Sequence, residues 1–205
     1  PYREAFIPAT RVPGSWDRGY VQSVGGICTV VGDQLRFYYI GFKGGDPSSY
    51  MHSNGATGMA ILRRDGFASM STTGEGSLTT RPVTFTGKYL FVNVDCPSGE
   101  LKVEILDKNN KVIDDLSADK CKAVSIDSTI QQIEWNGSSD LSSLVGQEVK
   151  FRFKLKNGDL YAFWVSPSTN GESNGYVAGG GPGYISNKDT EGKKAYEQAS
   201  GLQKF

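Results

Sequence analysis

The chain has 205 residues, room for one large unit or two small ones. Hydrophobic residues make up 38% and charged residues 21%, so a packed core is affordable and disorder along the whole length is excluded. Lys plus Arg total 22 and so do Asp plus Glu. That balance leaves no long-range field to draw in phosphate backbones, and nucleic acid is not an expected partner.

Glycine is abundant, with 26 residues, and Val, Thr, Tyr and Phe recur in short runs bounded by turn residues. This pattern predicts many short antiparallel strands and no long helix. No apolar run reaches the ~18–20 residues that span a bilayer, so no membrane is expected. The opening residues, Pro-Tyr-Arg-Glu-Ala-Phe-Ile-Pro, carry no signal-peptide pattern and read as the middle of a larger protein.

Residues 1–14 hold three prolines and predict an extended lead-in that needs a neighbour. A short candidate strand is predicted over 20–23, and strands over 27–31, 34–42, 57–64 and 67–70. Gly32-Asp33 makes the turn, and Leu35, Phe37, Tyr39 and Gly41 share one face. Together these form a four-stranded unit like a propeller blade over residues 1–70. One blade cannot bury both faces, so the segment implies sheet partners that this chain does not supply. Residues 71–76 read as a linker.

Residues 77–167 change pattern. Strands are predicted over 88–95, 100–107, 111–113, 129–136, 149–155 and 159–166. Phe151, Phe153 and Leu155 point inward while Lys150, Arg152 and Lys154 point outward. Tyr161, Phe163 and Val165 form the next inward set, Trp164 points to the other face, and a short helical turn fits 139–145. The expected fold is all-β: an antiparallel, jelly-roll-like β-sandwich preceded by the blade-like sheet. Residues 168–205 read as a Gly-rich tail with a short helix near 190–202.

Cys28, Cys96 and Cys121 match no zinc spacing, and nothing forces a Cys96–Cys121 bridge. Gly179-Gly-Gly-Pro-Gly183 lacks the Lys-Ser/Thr of a phosphate loop. Neither a metal nor a cofactor is expected. Asp107 to Lys111 reads as a hairpin tip, without EF-hand ligand spacing.

Two stretches carry a resemblance: Gly14-Ser-Trp-Asp-Arg-Gly-Tyr-Val-Gln-Ser23 and Leu62-Arg-Arg-Asp-Gly-Phe-Ala-Ser-Met70. They resemble a late blade, and its link to a sandwich, in bacterial five-bladed propeller glycoside hydrolases similar to families 32 and 43. Leu78-Thr-Thr-Arg-Pro-Val-Thr-Phe85 and Asp159-Leu-Tyr-Ala-Phe-Trp164 are similar to the sandwich that follows in that group. The resemblance spans about residues 14–185. It implies a C-terminal accessory region whose partners are the missing N-terminal propeller blades and a carbohydrate. The catalytic carboxylates would lie on those blades, so the catalytic residues of this chain stay unassigned. A periplasmic or extracellular setting follows if the whole is a secreted glycosidase.

Within this chain the expected substrate-binding residues are Trp16, Asp17, Arg18 and Gln22. Trp16 offers a flat apolar face to a sugar ring, and the polar groups grip hydroxyls through directional hydrogen bonds. The bland alternative makes Asp17 and Arg18 a turn-stabilising pair. His52, the single histidine, sits in a loop with Tyr50 and has no nucleophile motif beside it. Arg63, Arg64 and Asp65 read as an ion-paired joint between the two units. Two other readings stand beside the hydrolase one: a stand-alone carbohydrate-binding sandwich, and a structural or interaction domain without a sugar ligand.

Overall fold

The computed structural model describes residues 5–202 apart from 47, 49 and 139, and gives no side-chain account of residues 26 and 27. Eight strands follow in order: β1 Tyr20–Val31, β2 Gln34–Phe42, β3 Gly55–Arg63, β4 Met70–Thr79, β5 Tyr89–Asp95, β6 Glu100–Leu106, β7 Asp127–Gln132 and β8 Lys150–Ser166. Among the described residues one α-helix, α1, covers Lys193–Ala199. The fold is all-β with antiparallel sheets, as the composition and alternation predict.

β1, β2 and β3 form a three-stranded meander. Gly32, at φ +59°, takes the first central position of the two-residue β1–β2 hairpin, where a primed turn needs positive φ. The blade-like sheet therefore has three strands rather than four. Of the expected fourth, only Met70 is in a strand, and that strand belongs to the other sheet. The expected linker 71–76 lies inside β4, because its backbone groups pair with β8.

The second sheet is built around β8, 17 residues long. β4 lines one edge, while β5 and β6 lie end to end along the other, with β7 outside β5. Irregularities fall at one level in all three rows. β8 has Asn157 at φ +45°, β4 shifts register between Thr72 and Glu75, and the β5–β6 row breaks between Asp95 and Glu100. Gly99 packs so tightly here that a Cβ would sit 1.7 Å from the Lys156 carbonyl oxygen. The sheet creases along this line. Phe151 and Phe163 would stand ~40 Å apart on a straight strand at 3.3 Å per residue. Their ring centroids are 5.6 Å apart, and those of Phe153 and Phe163 are 5.0 Å apart.

One creased sheet thus encloses the core in the manner of a sandwich. Leu90, Val92 and Val94 of β5 share that core with Leu101, Val103 and Ile105 of β6 and with Phe151 and Phe153. Trp135 joins it and donates its indole N–H to the Val103 carbonyl at 2.9 Å. The inward set after the crease is Leu160, Phe163 and Val165 rather than Tyr161, Phe163 and Val165. A bulge at Tyr161, where Asn93 pairs with Ala162 and Val94 with Leu160, switches the alternation.

The Gly-rich tail packs on both sheets. Trp164 stacks on Phe91 with centroids 5.7 Å apart and donates to the Gly171 carbonyl at 3.0 Å. Further on, Gly179 N–H donates to Cys28 O at 3.0 Å and Val30 N–H to Gly180 O at 2.8 Å, so the tail extends the β1 end of the first sheet. Gly181 allows this approach, since a Cβ there would lie 1.7 Å from the Val30 oxygen. Cys28, Cys96 and Cys121 are unbridged.

Candidate functional site

Of the four residues expected at a sugar pocket, Trp16 and Asp17 both lie against Gly41, while Arg18 and Gln22 are placed elsewhere. Asp17 is 5% exposed, and one of its carboxylate oxygens accepts from the Thr10 hydroxyl at 2.8 Å and the Thr10 N–H at 3.3 Å. Its other oxygen, Oδ1, is buried with no partner among the described residues. Trp16 lies on the face of the first sheet that carries Tyr39, with ring centroids 5.7 Å apart. Glycine stands at 41 and 58 for that reason. A Cβ on Gly41 would sit 2.4 Å from the indole ring, and one on Gly58 would sit 2.8 Å from it.

Gln22 pairs with Ile40, which alternation places on the opposite face from Gly41. Arg18 is exposed and borders an open hollow of about 380 Å3 with Lys43, Asp46, Tyr50 and Met51. Asp17 and Arg18 therefore act apart: one anchors the lead-in, the other faces the hollow. His52 meets Tyr20 and Phe42 edge-on, with centroids 5.1 and 5.6 Å away, and so extends an apolar face instead of joining a polar site.

That apolar face is the feature single-residue reasoning missed. The Tyr39 face of the meander is partly covered by side chains that are themselves exposed, Phe6 at 55%, Phe67 at 67% and Trp16 at 39%. Phe6 and Phe67 pack on Phe37, Trp16 covers Tyr39, and Val177 packs with Val30 and Leu35. The opposite face carries Tyr20, Tyr38, Met59 and Ile61, which are 37–43% exposed, beside half-buried Ile40 and Phe42. Tyr20 pairs with Phe42 and Tyr38 with Met59, so these side chains adjoin. The same face also carries Gln22, Thr57 and the buried Arg36, which donates to the Leu202 carbonyl, so the tail reaches one end of it. The available sequence signal was Tyr38, Ile40 and Phe42 alternating with the equally apolar Phe37 and Tyr39, which is the pattern of a strand covered on both sides.

The joint between the sheets is built from two adjacent arginines, as the Arg63-Arg64-Asp65 motif predicted. Arg63 turns toward the second sheet. It donates to Asn93 Oδ1 at 2.7 Å and the Val94 carbonyl at 3.0 Å, pairs with Asp127, and lies 4.8 Å from the Tyr161 ring centre. Arg64 turns toward the tail, donating to Asp189 Oδ2 at 2.8 Å and the Tyr184 hydroxyl at 2.6 Å. Asn93 closes the joint by donating to the Arg64 carbonyl at 2.6 Å. Burial opposes the Arg64 charge, yet Tyr196, Tyr184, Asp189 and Asp65 outweigh it and hold the guanidinium above its ordinary range. Burial also raises the Tyr184 and Tyr196 phenols, so both stay protonated at neutral pH. This arrangement ties the first sheet to the second through Arg63 and to the tail through Arg64.

On the outer face of the creased sheet, Lys102, Arg152, Lys154 and Lys156 line an open groove of about 730 Å3 with Glu75 and Glu100. Glu104 is 4% exposed and takes both Arg152, at 2.7 Å, and Lys154, at 3.0 Å, so much of the positive charge is internally paired. At the hairpin tip, Asp107 Oδ1 accepts from the N–H groups of Asn109 and Lys111. Among the described residues no three His, Cys, Asp or Glu side chains cluster as metal ligands, and no helix is long and apolar enough to cross a membrane.

No protein-family model matches the chain, and neither does any curated protein or any solved structure.

Proposed function

We propose that this chain is the C-terminal accessory region of a propeller glycoside hydrolase, in which the β1–β3 meander packs against further blades. The observation that carries the reading is the asymmetry of the meander. One face has Phe6, Phe67, Trp16 and the tail packed on it, while the other, apart from the Arg36–Leu202 contact at one end, leaves Tyr20, Tyr38, Met59 and Ile61 exposed. A blade in a propeller is covered on both faces, and an apolar sheet face is best covered by another sheet. The arginine joint supports the same reading, because it holds the meander at a set angle to the creased sandwich. In this reading the sandwich stiffens the catalytic part and carries none of the chemistry. Arg18 and Tyr50 contribute sugar contacts from the hollow they border.

The coding sequence ahead of Pro1 tests the proposal. Four further blades with inward-facing acids support it, and a start codon without them overturns it. In the protein that carries those blades, Tyr38→Lys and Ile61→Lys should depress glycosidase activity and stability. In the chain alone the same changes should leave circular dichroism and melting unaltered. Titrating the chain alone with an oligosaccharide panel addresses the stand-alone carbohydrate-binding reading: binding heat that survives Arg18→Ala would favour that reading over this one.

A further inference from the structure

β3 is an open edge. Its backbone pairs with β2 on one side, and among the described residues no backbone hydrogen bond crosses the other side over residues 55–62. Natural edges are blunted by charge, proline, bulges or a covering segment. The β1 edge has two of these devices: a register break between Ser23 and Cys28, and the tail laid along Cys28 and Val30. β3 has none over Gly-Ala-Thr-Gly-Met-Ala-Ile-Leu, whose register with β2 runs unbroken from Gly55 to Arg63. Gly55, Ala56, Thr57, Met59 and Ile61 are exposed.

We infer that this edge pairs with the same edge of a second copy of the chain, antiparallel about a two-fold axis at Gly58, giving a dimer with one continuous six-stranded sheet. The strand is self-complementary in that register. Gly58 faces Gly58, and Ala56 faces Ala60, so small residues meet on the Trp16 side. Thr57 faces Met59 and Gly55 faces Ile61 on the apolar side. No charges meet, and the pairing stops short of Arg63, which is engaged at the joint. A two-fold pairing uses one patch on both copies and closes on itself. Backbone hydrogen bonds supply the attraction, as in strand addition generally. The inference uses the β3 edge and does not depend on what covers the apolar face.

The test is the molar mass of the chain by sedimentation or light scattering across a concentration series. Twice the 22.2 kDa of one chain is expected at tens of micromolar. The double variant Thr57→Lys with Met59→Lys places like charges opposite each other twice and should give a monomer. The double variant Thr57→Glu with Met59→Lys places opposite charges at the same two positions and should restore the dimer. Both positions of change are exposed in the monomer, and circular dichroism checks that each variant folds. A monomeric parent, a dimer indifferent to the double lysine, or a mass that grows without limit through the β1 edge would each overturn the inference.

Discussion

Arg64→Met asks whether the tail is held on the first sheet by one buried charge. The Arg64 side chain is 10% exposed and that of Asp189 is 2% exposed, with 2.8 Å between them. Removing the guanidinium strands the carboxylate, and breaking a buried pair in this way costs about 3–5 kcal/mol. Asp189 keeps the Gly192 N–H at 2.9 Å and the Glu191 N–H at 3.3 Å, so the lower end, about 3 kcal/mol, is expected. Methionine preserves much of the packing against Tyr184 and Tyr196, whose ring centres lie 5.6 and 5.4 Å from the guanidinium carbon. Urea unfolding gives the cost, and amide exchange at Val30 and Gly179 reports whether the tail stays docked, since both donate across that contact. Adding Asp189→Asn removes the stranded charge and should recover about 1–3 kcal/mol in a double-mutant cycle. A single-variant cost below about 1 kcal/mol, with Val30 and Gly179 still protected, would refute the reasoning and show that the tail docks without the pair.

Three further outcomes are expected. Phe151→Ala and Phe153→Ala, each 1% exposed, should cost about 3–5 kcal/mol in chemical denaturation, and parent-like unfolding would mean the core is misassigned. Gly99→Ala should cost at least ~2 kcal/mol, because its Cβ meets backbone at the crease and no side chain can move aside; an unchanged melting curve would place the crease elsewhere. Burial favours the neutral form of Glu104, but hydrogen bonds and charge from Lys154 and Arg152 outweigh it and hold the carboxyl below the ordinary glutamate range. Its folded-state value is thus depressed, so its contribution is present above the unfolded value and is lost as pH falls through the folded one. Stability measured from pH 7 downward should decline through that window, and Glu104→Gln should flatten the decline.

Alternation by itself determined most of the strands and how they face, but it missed β4, and the strand expected at 111–113 is only an isolated bridge between Val112 and Leu106. β2, β5, β6 and both halves of β8 were legible because an alternating or continuous apolar run admits few other conformations. Arg63-Arg64-Asp65 was legible as a joint because buried cations need partners. Trp16, Asp17, Arg18 and Gln22 looked like one site because they are neighbours in the chain, yet a turn and the β pleat send Trp16 and Gln22 to opposite faces of the sheet.

Only the tertiary structure decided the rest. Residues 71–76 look like a linker locally, and their place in a strand depends on β8, some eighty residues later. Residues 149–155 and 159–166 read as two strands, and whether they turn back as a hairpin or continue as one creased strand depends on β4 bridging them. Backbone hydrogen bonds between distant segments carry no residue code, so sequence states which segments seek a partner and the assembled sheet determines which partner they find. The uncovered face and open edge of the meander belong to that second kind of information, because exposure is a property of everything packed nearby.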